Sequence, residues 1–141
     1  GAPTWANMVA LETAVAAANA DVGTLNYLTN SAVRGKLLTT EKATGTAQFV
    51  WQDGNTVRGY NASVSNQVPS NLTKGSTSGS CSAIIFGNFA DLIIGMWGGL
   101  DIAVDTSTGS TSGTVRVVAL QDVDIAVRHA ASFAAMKDAT T

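Results

Sequence analysis

The stretch Ala83–Asp105, AIIFGNFADLIIGMWGGLDIAVD, is the most apolar long segment of the chain, and its punctuation decides how the rest is read. Ile84-Ile85-Phe86 is a short apolar run stopped by Gly87-Asn88. Leu92-Ile93-Ile94 is a second, followed by Met96-Trp97 and then Gly98-Gly99. Beyond the glycines, Leu100, Ile102 and Val104 alternate with Asp101, Ala103 and Asp105, the period of two of a half-buried strand. Short runs punctuated by glycine read as core strands and turns rather than as one helix. A membrane-crossing helix needs roughly 18 uninterrupted apolar residues, and Asp91 and the glycines interrupt this stretch. The Gly98-Gly99 pair reads as a break where the backbone turns with positive φ or packs closely. On that reading Gly99→Val is expected to destabilise by more than roughly 1 kcal/mol. Physical chemistry alone carries this stretch as far as a sheet core.

The whole chain has 141 residues, 45% of them hydrophobic and 13% charged, which fits one globular domain over 1–141. Such a chain buries roughly two-thirds of its unfolded surface, enough for a real core. The charged share is about half the usual ~25%, and Gly, Ser, Thr and Ala fill the gap. A surface of small uncharged residues suits close subunit contact and equally a plain β-rich domain. The net charge is −2, and the eight Lys and Arg are spread from Arg34 to Lys137 with no basic stripe. Nucleic-acid binding needs clustered cations, so it is set aside. The single cysteine, Cys81, forms no internal disulfide and fits a reducing compartment. No signal peptide or membrane helix is read. The Gly-Ala-Pro start, without Met, reads as a fragment or a processed chain.

Working outward, Trp5 to Ala18 is Ala-rich and free of Gly and Pro, which predicts a helix starting at Pro3-Thr4. Trp5, Met8, Val9 and Val15 share its apolar face, and Glu12 falls inside that face. Glu12 is therefore expected to pair with an arginine or to snorkel at the core edge, or else to serve as a subunit-interface charge. Thr24 to Thr29 reads as a strand, and Asn30-Ser31 can cap a short helix over Ala32 to Leu38. A strand at Ala47 to Trp51, a turn at Asp53-Gly54 and a return strand over Val57 to Val64 complete the first half. Gly-Ser-Thr-Ser-Gly occurs at 75–79 and 109–113 as two polar loops, each ahead of a strand. From Val115 to Val127, odd positions are apolar except Gln121, while Arg116, Asp122 and Asp124 take even ones. One long or bent strand that leaves the domain, about 43 Å if straight, is the preferred reading, with two strands meeting near 120–122 as the alternative.

FGNFADLIIGMWGGLDIAVD resembles a stretch of the major capsid proteins of tailed phages with the HK97-like fold, with Phe86-Gly87-Asn88-Phe89 where that family commonly has Phe-Gly-Asp-Phe. Asn88 in place of Asp is a departure that removes a charge. Arg58 to Pro69 is similar to a second family segment, with Gly59, Val64, Ser65 and Pro69 in step and Asn61 where proline is common. Asp122 to Met136 is similar to the terminal one, with Arg128 and Phe133 in step. The three segments occur in the family's order over about half the chain. The resemblance implies an α+β fold: a central mixed β-sheet with flanking helices, the capsomer-centre A-domain, and a strand leading to the P-domain at about 115–141. Nothing resembles the family's spine helix or extended loop, so no cross-linking lysine is carried over. The implied role is a structural shell subunit, assembled in the bacterial cytoplasm into the virion capsid. Its partner is itself, in hexamers and pentamers, and the isolated fragment is expected to be monomeric or weakly associating. Glu12, Arg34, Arg58, Gly109, Ser110, Thr111, Ser112 and Arg128 are the candidates for the subunit interface. An encapsulin-like shell shares the fold, and a small hydrolase or carbohydrate-binding module is the alternative of a different class.

No catalytic, cofactor or metal residue is assigned. His129, the only histidine, has no partners at ligand spacing, and Cys81 has no adjacent cation to activate it. The Gly-Ser-Thr-Ser-Gly loops have Thr at the centre and precede strands, unlike a nucleophile elbow. Asp101, Asp105, Asp122 and Asp124 read as a solvated strand face or as ion pairs with Arg116 and Arg128. Asn61-Ala62-Ser63 and Asn71-Leu72-Thr73 are glycosylation sequons that matter only in a secreted protein.

Overall fold

The computed structural model describes all 141 residues, which fall into two compact units: Gly1–Asp91 with His129–Thr141, and Leu92–Arg128. In the first unit, helix α1 (Trp5–Ala17) begins with a reciprocal cap. Thr4 Oγ1 accepts from the Asn7 amide at 3.4 Å, and Asn7 Oδ1 accepts from the Thr4 amide at 2.9 Å. Met8, Leu11 and Val15 form its buried stripe, so Leu11 takes the place expected for Val9. Strand β1 (Leu25–Thr29) alternates buried and half-buried residues, and α2 (Ser31–Thr39) follows at once. Asn30 Oδ1 accepts from the Val33 amide at 3.0 Å and caps α2 as the sequence suggests.

Strands β2 (Trp51–Gln52), β3 (Thr56–Val57), β4 (Tyr60–Val64), β5 (Leu72–Lys74), β6 (Thr77–Asn88) and, at the end of the chain, β9 (Phe133–Ala139) complete a seven-stranded mixed sheet with β1. Its order is β2-β3-β4-β1-β6-β5, with β9 also on β6. β1 runs parallel to β4 and antiparallel to β6. The strand expected at 47–51 shrinks to two residues, because Ala47 takes a positive φ of 52° and bends the approach. The return strand expected over 57–64 divides at Arg58-Gly59, with φ of 55° and 83°. Val57 pairs Tyr60 across these two residues, which makes a tight two-residue hairpin. The core is the α1 stripe against Tyr27, Val57, Ile84 and Phe86, joined by Val33, Leu37 and Val50. The Tyr27, Tyr60 and Phe86 rings meet with centroids 4.4 to 6.4 Å apart.

The second unit is a two-stranded ribbon of β7 (Leu92–Asp105) and β8 (Arg116–Val127), paired antiparallel from Leu92↔Val127 to Asp105↔Arg116. β8 is one uninterrupted strand, as its parity suggests. The reading of 92–105 as core strands broken at the glycines does not hold. Only the Ala83–Asn88 part of the opening stretch lies in the core, while β7 runs through the glycines and its large side chains stand exposed. The interruption is a bulge: residues 98–100 face the single residue Gln121. Gly98 takes the positive φ, 66°, whereas Gly99 does not and has no atom near a would-be Cβ, so the strain expected at Gly99 belongs to Gly98. Period-two alternation reports which face a side chain takes and is silent on whether that face is covered.

Candidate functional site

The Phe86-Gly87-Asn88-Phe89 motif is built for packing. Phe86 is fully buried in the aromatic cluster. A Cβ on Gly87 would lie 2.2 Å from the Ser132 carbonyl oxygen and 2.7 Å from Phe133 Cδ1, so only glycine lets β9 approach β6 here. Asn88 is buried and accepts from the Ala90 amide at 3.2 Å, which turns the chain into the 3-10 turn Phe89–Asp91. Phe89 packs edge-on against Phe133, with centroids 5.4 Å apart. The amide at Asn88 supplies this bond without a charge.

Downstream of the motif lies a polar cluster that sequence reasoning missed. Ser132 Oγ donates to Asp91 Oδ2 at 2.6 Å and sits 3.0 Å from His129 Nδ1. Asp91 and Ser132 are buried. Asp91 reads in the sequence only as an interruption of an apolar run, and 41 residues separate it from Ser132. No local spacing signals such a pair. His129 is thus held at a strand end in a structural contact.

The interface candidates fall in four places. Glu12 and Arg58 are brought together as an ion pair, with Glu12 Oε2 against Arg58 Nε. The Arg58 guanidinium lies 6.0 Å from the centre of the Trp5 ring, and Lys42 Nζ lies 4.7 Å from it. Glu12 therefore has the arginine partner anticipated for a carboxylate on the apolar side of α1. Arg34 is exposed on α2, and Arg128 is exposed at the end of the ribbon unit. Gly109, Ser110, Thr111 and Ser112 form the ribbon tip, a 3-10 turn flanked by Gly109 and Gly113, both with positive φ. Asp105 orders the approach to it: its Oδ1 accepts from Ser107 Oγ at 2.7 Å and from the Ser107 and Thr108 amides at 2.9 and 3.1 Å. Hydrogen bonds from Thr108 and Ser107 hold this carboxyl well below the usual range. The other loop, 75–79, is shorter than it reads: Thr77 is already in β6, leaving Gly75-Ser76 as the turn.

The ribbon carries the largest apolar surface. Cross-strand partners place Leu92, Ile94, Met96, Ile102 and Val104 on one face with Val117, Ala119, Val123, Ile125 and Val127. Of these, Met96 is 70% exposed and Val127 47%. Gln121, the one polar residue in that parity, donates through Nε2 to the Trp97 carbonyl at 3.1 Å and thereby serves the bulge. The other face is mixed, with Gly95, Trp97 and Asp101 beside Asp122 and Asp124.

A concavity of about 730 Å³ along α1 is lined by Trp5, Val9, Ala10, Thr13 and Ala14, and the Thr13 hydroxyl is spent on the Val9 carbonyl at 2.8 Å. No three His, Cys, Asp or Glu side chains are placed to hold a metal ion. No helix is long and apolar enough to cross a membrane.

Comparison with known proteins agrees with this geometry. Residues 1–138 match the model of the phage capsid family. The major capsid protein of Halomonas phage phiHAP-1 is 33% identical over 129 residues, which is 92% of this chain and 19% of that protein. The chain thus spans about a fifth of the length of this curated relative. A solved capsid chain from an empty GTA particle, computed with C5 symmetry, superposes with a TM-score of 0.61 at 22% identity, over 92% of this chain and 42% of that one. The α+β fold with its central mixed sheet is the fold of that capsid chain, and with the family match over nearly all of its length the chain belongs to the phage capsid family.

Proposed function

We propose that residues 1–141 are the capsomer-centre part of a structural shell subunit of a phage or prophage head. Many copies of the parent polypeptide would form hexamers and pentamers of a closed shell, assembled in the bacterial cytoplasm. The role is structural and not enzymatic. The observation that carries this reading is the family match over residues 1–138, joined to a surface rich in open apolar side chains and poor in converging polar ones. The interface would draw on the ribbon tip at Gly109–Ser112 and on the cations Arg34, Arg58 and Arg128, with Glu12 setting the position of Arg58.

The isolated chain is a monomer at micromolar concentration on this reading. The eight large side chains Ile94, Met96, Ile102, Val104, Val117, Val123, Ile125 and Val127 are each about half exposed or more. Full burial of such a side chain removes roughly 60–120 Å² from water, so two ribbons face to face would cover about 1,000–1,900 Å² in total, counting both copies. Stable interfaces bury at least ~1,000 Å², so ribbon area alone does not forbid a pair. The monomer rests instead on contact surfaces that lie elsewhere in the parent polypeptide, since the chain spans about a fifth of the length of its curated relative. Sedimentation velocity across a concentration series is the test. A monomer with weak association at the highest concentration is expected. Closed shells or a tight dimer from this chain alone would overturn the assignment.

A further inference from the structure

Asp91 and His129 are the two residues at which the polypeptide leaves the first unit for the ribbon and returns from it. Both are held by one hydroxyl, Ser132 Oγ, at 2.6 Å from Asp91 Oδ2 and 3.0 Å from His129 Nδ1. A serine hydroxyl has a single proton. The short bond to the carboxylate uses it. The serine oxygen therefore accepts from the imidazole, and Nδ1 carries the proton. The order is His129 Nδ1–H to Ser132 Oγ–H to Asp91 Oδ2. Nδ1–H is present in the imidazolium and in one neutral tautomer, so protonation at Nε2 leaves the chain intact. In this direction the imidazole is a donor to Ser132 and not a base for it.

The serine has no freedom to wander. Its carbonyl oxygen lies 2.2 Å from where a Cβ on Gly87 would be, and the residue is 2% exposed. Phe133, the next residue, pairs with Gly87 in the sheet. One buried, backbone-pinned hydroxyl thus spans both chain crossings. A two-stranded ribbon is marginal in water on its own and frays from its ends.

We propose that Asp91, Ser132 and His129 form a latch at the root of the ribbon. Closed, it fixes the separation of the two crossings and seeds the pairing of Leu92 with Val127. Open, it lets β7 and β8 fray from that end while the sheet stays folded.

The test is residue-resolved hydrogen exchange on the intact chain and on Ser132→Ala and Ser132→Thr. Ser132→Ala removes both bonds, and the protected amides at 92–94 and 125–127 are expected to exchange about tenfold faster or more. Amides of Ile84 to Phe86 should stay within about twofold, and Ser132→Thr, which keeps the hydroxyl, should restore the root. Unchanged exchange at the root, or equal acceleration in β6, would overturn the latch. A second readout needs no variant: nitrogen NMR should find the proton of the neutral His129 ring on Nδ1. A neutral ring protonated at Nε2 would refute the proposed direction even if Ser132→Ala fails to fold.

Discussion

Gly87→Ala places one methyl group where the structure has no room, and the cost can be worked from distances. The new Cβ would sit 2.2 Å from the Ser132 carbonyl oxygen and 3.0 Å from Phe133 Cα. Ordinary contact lies near 3.5 Å, so the two backbones must part by roughly 1 Å. β9 cannot yield freely, since Gly87 pairs with Phe133 and Phe86 with Ala134. Overpacking of this kind costs about 1–3 kcal/mol, and one or two weakened ladder bonds add about 1 kcal/mol each. The stiffer unfolded chain returns about 0.5 kcal/mol. The net expectation is a loss of about 3 kcal/mol, or a fall of about 10 °C in Tm. Urea unfolding followed by circular dichroism measures it, with Gly35→Ala as the comparator. Gly35 lies inside α2, has no atom within 4 Å of a would-be Cβ and no positive φ, so alanine there should stabilise by about 0.5–1 kcal/mol. An unchanged midpoint for Gly87→Ala would refute the close-approach account of the motif.

Three further outcomes are expected. Gly98→Val should cost the ribbon about 1–2 kcal/mol through its left-handed backbone, while Gly99→Val should be near neutral; amide protection along β7 and β8 compares them. Tyr27 should stay protonated well above the usual tyrosine range, because burial and then the Glu12 carboxylate oppose the phenolate. Its folded pKa is raised, so the stability it contributes is complete below about pH 10 and is lost as pH rises toward the folded value. Ultraviolet titration should therefore show phenolate later in the native chain than in denaturant. Deleting Ser110 to Ser112 removes an exposed tip turn, and it should change self-association in light scattering more than it changes Tm.

Much of the local structure was legible because local chemistry decides it. Asn30 reads as a cap and caps α2, and the parity of 115–127 becomes one strand. Glu12 on an apolar face calls for a cation, which Arg58 supplies. What was not legible depends on partners distant in sequence. Gly87 reads as a stop, yet its reason is the Ser132 backbone, 45 residues away in number. Asp91 reads as an interruption, yet it anchors a buried hydroxyl. Gln121 breaks an apolar parity for a reason visible only once the bulge at 98–100 stands opposite it. The exposure of β7 was illegible because an apolar run looks the same in a core strand and in an open ribbon. The family resemblance located the motif that local physics could describe only as sheet core.

Electron cryomicroscopy of particles formed by the polypeptide that carries residues 1–141, expressed at its natural length, tests the shell assignment most directly. Closed shells are expected whose wall contains density for the β6-centred sheet, repeated in rings of six and five, with the Gly109–Ser112 tip at a contact between copies. A polypeptide that forms no shell, or a shell whose wall is another protein with this sheet as an appendage, would contradict it.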